Sequence, residues 1–325
     1  MVESTVTRIV PQAPTGFKSG FIGIIGRPNV GKSTLMNQLV GQKIAITSPV
    51  AQTTRHRLQG ILTTAEAQMV FVDTPGIHKP HHQLGRVLVQ NAKMAIQSVD
   101  VLLFLVDGSC EAGGGDRFIA DLLKDTQIPV ILGANKLDQR HESQQHPEIL
   151  SPGSSASDPI DASYTSLPNA ENWTMVKFSA LTGLGMDTVQ SLLRDRLPEG
   201  PYYYPPDLVT DRPERFIMGE LIREQILIAT REEVPHSVAV AIQYVEETPE
   251  ITHVYADIVV ERPSQKGILI GKGGQMLKKI GSAAREAMQK LIAGQVYLEL
   301  FVKVRPKWRQ SSHRLSELGY TVEDS

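Results

Sequence analysis

The sequence predicts an α/β domain built on a mostly parallel, doubly wound sheet, followed by a smaller α+β domain. Two observations predict this division. In the first part of the chain, short apolar runs alternate with helix-like stretches, which is the pattern of parallel strands joined by crossover helices. Residues 198–206 then contain four prolines, which block any helix and indicate a linker between two domains.

The chain has 325 residues, of which 41% are hydrophobic, so each of two domains can bury a core. We expect a flexible tail over residues 1–18, a first domain over 19–198, a linker over 199–212, and a second domain with a C-terminal tail over 213–325. Within the first domain, residues 139–172 are rich in Gln, Ser, Pro, Asn and Asp. This composition predicts a disordered, low-complexity surface insertion.

Five short apolar runs of the first domain predict buried strands: Phe21–Ile25, Met69–Val72, Val101–Val106, Val130–Leu132 and Met175–Phe178. Four stretches between or after them predict helices: Thr34–Leu39, Leu84–Gln97, Arg117–Leu123 and Met186–Leu197. The second domain reads as a helix, two strands, a glycine-rich turn, a helix and a strand: Glu214–Thr230, Ser237–Glu246, Ile251–Glu261, then Gln275–Ile292 and Val296–Val304. The first domain therefore alternates strands with helices, whereas the second has two consecutive strands between its helices.

Cysteine content and hydropathy narrow the protein class. Cys110 is the one cysteine, which excludes an intramolecular disulfide and a cysteine-built zinc site. No apolar run reaches the length of a membrane-spanning helix, and the start lacks a secretory pattern. We expect a cytoplasmic protein, and peripheral contact with a membrane remains open.

Positive charge is concentrated in the second domain. The formal net charge is only −2, yet the stretch from Arg262 to Arg309 carries eleven Lys or Arg against two acids, Glu286 and Glu299. Such a local excess is typical of a surface that binds a phosphate backbone. A solvated helix face explains the charge run alone equally well.

The first motif is a phosphate-binding loop. It begins directly after the strand Phe21–Ile25 and runs into a helix, and its residues are Gly26, Arg27, Pro28, Asn29, Val30, Gly31, Lys32, Ser33 and Thr34. The glycines let backbone N–H groups face the phosphates, while Lys32 adds a point charge and Ser33 offers a hydroxyl to Mg²⁺. The pattern predicts a nucleoside triphosphate site.

A second motif lies at a strand end. Asp73, Thr74, Pro75, Gly76 and Ile77 follow the strand Met69–Val72. A carboxylate at this edge of an open α/β sheet can hold a Mg²⁺ water, and Gly76 leaves room for a backbone N–H to meet the γ-phosphate. The motif therefore predicts a segment that responds to the triphosphate state.

A third motif selects the base. After the strand Val130–Leu132 come Asn135, Lys136, Leu137 and Asp138. One carboxylate accepts from the adjacent N1–H and 2-amino donors of guanine, and adenine has no such pair, so Asp138 predicts GTP rather than ATP. Ser179 and Ala180, after the strand Met175–Phe178, can present a backbone N–H to guanine O6.

The second domain carries a glycine loop, Gly271, Lys272, Gly273 and Gly274, followed by a helix that bears Lys278, Lys279 and Arg285. This loop fits the GXXG motif of a KH domain, which lets an RNA backbone approach closely. A lone GXXG is a weak signal. Its position after two strands and before a basic helix favours an RNA-binding domain of KH type II.

Together these motifs resemble the G1, G3, G4 and G5 boxes of translation-factor-class GTPases, and over nearly the whole chain the sequence resembles the Era family of bacterial ribosome-assembly GTPases. The resemblance rests also on these segments: Gln52-Thr53-Thr54-Arg55-His56-Arg57, Thr210-Asp211-Arg212, Arg215-Phe216, Ile222-Arg223-Glu224 and Leu298-Glu299-Leu300-Phe301-Val302-Lys303-Val304. It implies a P-loop GTPase domain followed by a KH domain. It also implies that Gln52, Thr53, Thr54 and Arg55 form switch I, with either Thr53 or Thr54 reaching Mg²⁺; Thr54 is favoured.

The resemblance implies more about function. The KH domain would bind the 3′ end of small-subunit ribosomal RNA, and the GTP state would control docking on the small (30S) subunit during its maturation. Asn29 matches an asparagine that coordinates K⁺ in potassium-stimulated relatives, although it could instead cap the loop. We expect a monomer that hydrolyses GTP slowly, because Ile77 stands where Ras-like switches place a water-orienting glutamine. A peripheral association with the inner face of the plasma membrane stays open.

Two alternatives remain. The first is a related GTPase of tRNA modification or large-subunit assembly, which would need a partner domain other than KH. The second is a passive RNA chaperone with an inert nucleotide site, which Ile77 keeps open.

Overall fold

The computed structural model describes residues 11–47, 58–73, 98–141, 144–154, 156–230, 234–292, 294–311 and 313. These residues form two compact units. Residues 11–44 and 58–211 belong to the first unit, while 45–47 and 212–313 belong to the second. The first unit therefore differs from the predicted continuous domain 19–198, because residues 45–47 pack with the second unit.

The first unit contains one seven-stranded sheet with the order β2-β3-β1-β4-β5-β7-β6. Its strands are β1 Lys18–Gly26, β2 Leu58–Thr63, β3 Ala67–Asp73, β4 Val101–Asp107, β5 Val130–Asn135, β6 Ile149–Leu150 and β7 Thr174–Lys177. The five strands β1, β3, β4, β5 and β7 pair in parallel, and only the edge strands β2 and β6 pair antiparallel. The expected mostly parallel sheet is confirmed.

Nearly every residue of the central strands is buried, as expected for parallel strands with helices on both faces. The described helices of this unit are α1 Lys32–Val40, α2 Gly114–Leu123, α3 Pro159–Thr165 and α4 Met186–Arg196. The predicted helix Leu84–Gln97 lies outside the described residues. Because the strands are parallel, their carboxyl ends meet at one edge of the sheet, and this edge carries the motifs.

The segment 139–172 is ordered where it is described, so the prediction of a disordered insertion is wrong there. Asp158 caps α3 by accepting from the backbone N–H groups of Ile160 and Asp161, and Pro159 takes the first turn. Tyr164 is fully buried, and Trp173 packs edge-on against Phe104 of β4. Burial of Tyr164 and Trp173 and the capped start of α3 order this segment despite its polar composition.

The two ends of the first unit also differ from prediction. Phe17 is buried against Tyr202 and β1 begins at Lys18, so the predicted tail 1–18 extends too far. The predicted linker 199–212 lies along the sheet: the side-chain oxygen of Gln68 accepts from the N–H groups of Tyr203 and Tyr204, at 2.7 and 2.9 Å. The linker is thus fastened to the first unit by direct hydrogen bonds.

The second unit is a three-stranded sheet, in the order β10-β9-β8, packed against helices. Its elements are α5 Glu214–Ala229, α6 Val234–Ser237, β8 Ala239–Glu247, β9 Ile251–Val260, α7 Pro263–Ile270, α8 Gln275–Ile292 and β10 Gln295–Val304. Strand β10 is parallel to β9, and β8 is antiparallel to it. This is the expected order, with the helices α6 and α7 in addition.

Helix α8 is fixed by one apolar stripe. Ile280, Ala284 and Met288 recur every fourth residue and are all buried. Lys278, Lys279 and Arg285 lie off that stripe and are exposed. In the parts of the chain described above, no helix is both long enough and apolar enough to cross a membrane.

Candidate functional site

The phosphate-binding loop connects the end of β1 to the start of α1. Its residues are Arg27, Pro28, Asn29, Val30 and Gly31, between Gly26 in β1 and Lys32 in α1. Gly31 has φ of +100°, and a Cβ at this position would collide with Nδ2 of Asn135. A Cβ at Gly26 would likewise meet the carbonyl oxygen of Leu105. Only glycine fits at either position, and Ser33 and Thr34 follow in the first turn of α1.

Lys32 is held inside this loop. Its Nζ donates to the carbonyl oxygens of Arg27, at 2.8 Å, and of Gly26, at 3.1 Å. Burial lowers the pKa of Lys32 to about 8, and the nearby Asp73 carboxylate opposes that shift. Asp73 pairs in register with Ile24 of β1, two residues before the strand ends at Gly26, so the end of β3 lies next to the start of the phosphate loop.

Arg27 anchors the loop to helix α2. Its Nε donates to Oδ1 of Asp116 at 2.7 Å, and Oδ2 of the same carboxylate accepts from the N–H of Gly113 at 2.8 Å. Burial lowers the pKa of the guanidinium, but Asp116 outweighs this effect, so the pKa is raised. Asp116 was not predicted as a site residue, because its partner is remote in sequence.

The predicted guanine-binding residues come together at the ends of β5 and β7. The side chain of Ser179 donates its hydroxyl to Oδ1 of Asp138, and the N–H of Ala180 donates to Oδ1 of Asn135 at 2.8 Å. Leu137 is buried, and its N–H donates to the carbonyl oxygen of Phe178. Asp138 and Ser179 therefore point at each other from two neighbouring segments.

Lys136 is oriented by Asp107, a residue that was not predicted from the sequence. This lysine has φ of +67°, and its Nζ pairs with Oδ2 of Asp107 at 2.5 Å. Burial alone would raise the pKa of Asp107, but hydrogen bonds from Lys136 and Ser109 outweigh it and lower that pKa. Asp107 ends strand β4, and this position at a strand end is the signal that could have identified it.

The switch residues are only partly described. Asp73 is the last residue of β3 and is buried. The predicted switch I residues Gln52, Thr53, Thr54 and Arg55 lie outside the described residues, and so do Thr74, Pro75, Gly76 and Ile77. Among the described residues just before switch I, Thr47 donates from its backbone N–H to Oε1 of Glu224 in α5, at 2.8 Å.

A donor set for Mg²⁺ is present in the first unit. Ser33 supplies a hydroxyl and Asp73 a carboxylate, which are the oxygen donors that Mg²⁺ prefers. Where the structure is described, no three His, Cys, Asp or Glu side chains form a metal cluster. The hydroxyl of Ser33 and the carboxylate of Asp73 fit a Mg²⁺ ion, which usually takes one or two protein oxygens together with phosphate oxygens and water.

The glycine loop of the second unit joins α7 to α8. Gly271, Gly273 and Gly274 all have positive φ, between +59° and +79°. A Cβ at Gly271 would meet Cβ of Met276 at 2.7 Å, whereas a Cβ added at Gly273 or Gly274 would have no atom within 4 Å. The turn is thus tight at its first glycine and leaves open space over the other two.

Exposed basic side chains lie in the loop and along the helix that follows it. Lys272 in the loop and Lys278, Lys279 and Arg285 on α8 are exposed. The N-terminus of α8 begins at Gln275, directly after the loop, so its free N–H groups add to the positive potential. The arrangement suits an extended phosphate backbone.

Two protein-family models match this chain. A family model described as "50S ribosome-binding GTPase" matches residues 21–136, and a model described as "KH domain" matches residues 233–309. GTPase Era of Nostoc sp. is 71% identical over 315 residues, which cover 97% of this chain and 93% of that protein. GTPase Era of Rippkaea orientalis is 68% identical over 314 residues, covering 97% and 96%.

Solved structures give the same result. Era in complex with MgGDPNP and nucleotides 1506–1542 of 16S ribosomal RNA is 37% identical, with a TM-score of 0.84, and the match covers 94% of this chain and all of that one. A point variant of Aquifex aeolicus Era bound to GDP and AlF4⁻ gives the same identity, coverage and TM-score. With both domains, their motifs and more than two thirds identity to curated relatives in agreement, this chain belongs to the Era family of GTP-hydrolysing enzymes.

Proposed function

We propose that this chain binds the 3′ end of small-subunit ribosomal RNA through its KH domain and acts in the assembly and maturation of the small ribosomal subunit. One observation carries the proposal: a structure similar over 94% of this chain holds nucleotides 1506–1542 of 16S ribosomal RNA. The loop of Gly271 to Gly274 and the exposed Lys272, Lys278, Lys279 and Arg285 support it from the chemistry of this chain.

The nucleotide site has a proposed role for each motif. Lys32 compensates phosphate charge, and Asp138 accepts from the N1–H and 2-amino groups of guanine. The N–H of Ala180 donates to Oδ1 of Asn135 in this structure, and guanine O6 would share that donor when the base is bound. Ser33, Asp73 and Thr54 would hold Mg²⁺, which neutralises the charge of the β- and γ-phosphates when bound. The Asp138 carboxylate already aligns with Ser179, which supports its role at the base.

We propose that GTP hydrolysis depends on a group supplied from outside the chain. The chain has Ile77 at the position where Ras-like switches have a glutamine. Because an isoleucine side chain cannot orient a water molecule, this position cannot supply the missing group. Asn29, in the phosphate loop with φ of +64°, is the candidate ligand for K⁺. A bound K⁺ would add positive charge beside the phosphates.

The nucleotide state is proposed to control RNA docking. Thr47 lies just before the switch I segment and hydrogen-bonds to Glu224 of α5 through both its N–H and its hydroxyl. A γ-phosphate that orders Thr54 would therefore act on a segment that is already tied to α5. Equal RNA affinities of the GTP-analogue and GDP forms would contradict this control.

We also propose that the protein is a cytoplasmic monomer that can associate peripherally with the inner face of the plasma membrane. The single cysteine, Cys110, is exposed and free, which suits a reducing compartment. The basic excess of the second domain supports contact with an anionic membrane face. Separation of membranes from cytosol by centrifugation, with and without high salt, tests the location, and size-exclusion chromatography tests the monomer.

RNA binding by charge-reversed variants tests the main proposal. The double variant Lys272→Glu/Lys278→Glu should lose about tenfold to a hundredfold in affinity for an RNA with the 1506–1542 sequence. Lys290→Glu is the matched control, since Lys290 is exposed on the same helix but near its other end, and it should change the affinity by less than about threefold. Fluorescence anisotropy with GDPNP present measures both.

A second candidate is a role on the large subunit, which the description of the matching family model favours. Sedimentation of the GDPNP-bound protein with purified 30S and 50S subunits separates the two. Co-sedimentation with 30S alone is expected. Co-sedimentation with 50S alone would overturn the small-subunit proposal.

A further inference from the structure

The segment that follows the guanine motif is folded around one buried carboxylate. Asp161 of helix α3 is only 2% exposed. Its Oδ1 accepts from Nη2 of Arg140 at 2.5 Å, and its Oδ2 accepts from Nζ of Lys177 at 3.1 Å. Both partners are nearly buried as well, with 2% and 10% of their side chains exposed.

These two partners flank the guanine-binding residues in sequence. Arg140 lies two residues after Asp138, and Lys177 lies two residues before Ser179. A single carboxylate therefore joins the loop after β5 to the strand β7. These are the two segments whose side chains, Asp138 and Ser179, hydrogen-bond to each other.

Other bonds from the same segment fix the backbone of the loop. Nε of Arg140 donates to the carbonyl oxygen of Gly108 at 2.5 Å. Nε2 of Gln145 donates to the carbonyl oxygens of Asp138, at 3.1 Å, and of Arg140, at 2.7 Å. The backbone of Asp138 is thus held by a side chain from outside the motif.

Helix α3 is also connected to Lys136, through Asp107. The hydroxyl of Tyr164 donates to the carbonyl oxygen of Asp107 at 2.8 Å, and the carboxylate of Asp107 pairs with Lys136. Asp161 and Tyr164, one turn apart on α3, consequently support both sides of the guanine motif.

We propose that Asp161 and Gln145 are positioning residues for guanine recognition. They hold the Asp138 carboxylate in the position and orientation in which it accepts from both guanine donors. The inference rests on the proposed role of Asp138 at the base. Arg140 also has Asp158 at 3.6 Å, and Lys177 has the exposed Glu148 at 2.5 Å, but neither of these carboxylates is shared. Loss of the Asp161 charge would therefore remove the one carboxylate that links the loop to the strand, at a buried position.

The 2-amino group of guanine donates to the Asp138 carboxylate, so its contribution to affinity measures whether that carboxylate is in position. Inosine diphosphate lacks this group and is otherwise identical to GDP. Competition against a fluorescent GDP with the full-length chain gives both affinities for each variant. A carboxylate out of position weakens GDP more than inosine diphosphate, whereas a partly unfolded protein weakens both equally.

In Asp161→Asn the ratio of GDP to inosine diphosphate affinity should fall about tenfold, because a hydrogen bond to a charged acceptor depends steeply on geometry. Gln145→Ala, at a half-buried position with little risk to folding, should lower the ratio about threefold. Asp257→Asn is the matched control: this buried acid pairs with Lys303 in the second unit, and its ratio should stay unchanged.

An unchanged ratio in both Asp161→Asn and Gln145→Ala would overturn the inference. Should Asp161→Asn fail to fold, Gln145→Ala alone decides. The variant Asp138→Asn distinguishes failure of this inference from failure of the proposed guanine site itself. If Asp138→Asn also keeps the wild-type ratio, then Asp138 does not read guanine and the proposed base site is wrong.

Discussion

The side-chain amide of Asn135 donates a hydrogen bond of 2.8 Å to the carbonyl oxygen of Val30. Its oxygen accepts a second bond, also of 2.8 Å, from the N–H of Ala180. Asn135 is 3% exposed, so both bonds are shielded from water. One amide thus connects the phosphate loop, the guanine motif and the segment after β7, and it does so only because Gly31 leaves space for it.

Removal of this amide should weaken the fold and the nucleotide site together. Asn135→Ala leaves a buried carbonyl and a buried N–H without partners, which should lower the free energy of unfolding by about 2–4 kcal/mol. Urea denaturation measures the loss. Asn172→Ala is the control, since Asn172 is exposed and should change stability by less than about 0.5 kcal/mol. Equal stabilities of the two variants would contradict the connecting role.

Asp138→Asn should exchange the base preference. The amide presents a donor where the carboxylate accepted, so it repels the guanine 2-amino group and accommodates the C2 carbonyl of xanthine. GDP affinity should fall by about a hundredfold or more, while xanthosine diphosphate binding should improve. Isothermal titration of both nucleotides measures the change. A GDP affinity close to that of the wild type would show that Asp138 does not contact the base.

Lys32 should make the stability of the nucleotide-free protein depend on pH. Its folded-state pKa is about 8, against an ordinary value of 10.5. Between these pH values the unfolded chain binds more protons than the folded one. The contribution of Lys32 to the free energy of unfolding therefore rises as the pH increases through that window, by at most about 3 kcal/mol.

Lys32→Met removes this contribution. The difference in unfolding free energy between wild type and variant should therefore shift in favour of the wild type as the pH rises from about 8 to about 10.5. Chemical denaturation at a series of pH values across that window measures the difference. A difference that stays constant with pH would mean that burial does not perturb Lys32.

Tyr164→Phe tests the order of the segment 139–172. The hydroxyl of Tyr164 donates to the carbonyl oxygen of Asp107 from a fully buried side chain, so its removal should cost about 1–2 kcal/mol. Thermal denaturation should show a melting temperature lower by several degrees. Tyr244→Phe, at a residue that is 54% exposed, should leave the melting temperature unchanged. If both variants melt like the wild type, the hydrogen bond from Tyr164 to Asp107 does not stabilise the fold.

The central sheet and the positions of the described motifs could be predicted from the sequence because local patterns determine them. The phosphate loop is contiguous, and Asn135, Asp138 and Ser179 each follow an apolar strand whose carboxyl end must lie at the same edge. The glycine loop around Gly273 is equally local. Family resemblance added switch I and the RNA partner, which spacing alone does not determine.

Contacts between remote positions could not be predicted in this way. Asp116 meets Arg27 across 89 positions, and Tyr164 meets Asp107 across 57. Composition was misleading for residues 139–172, because a few buried groups such as Tyr164 and Asp161 outweigh many polar neighbours. The Asp158-Pro159 helix start was the one local signal that could have corrected it.

The most direct test of the central claim is GTP hydrolysis measured in K⁺ and in Na⁺, with and without an RNA that ends in the small-subunit 3′ sequence. We expect slow turnover in Na⁺ without RNA and faster turnover when K⁺ or RNA is added, and we expect Asp138→Asn to abolish it. Absence of turnover under every condition, with the RNA still bound, would contradict the account and identify a passive RNA-binding protein.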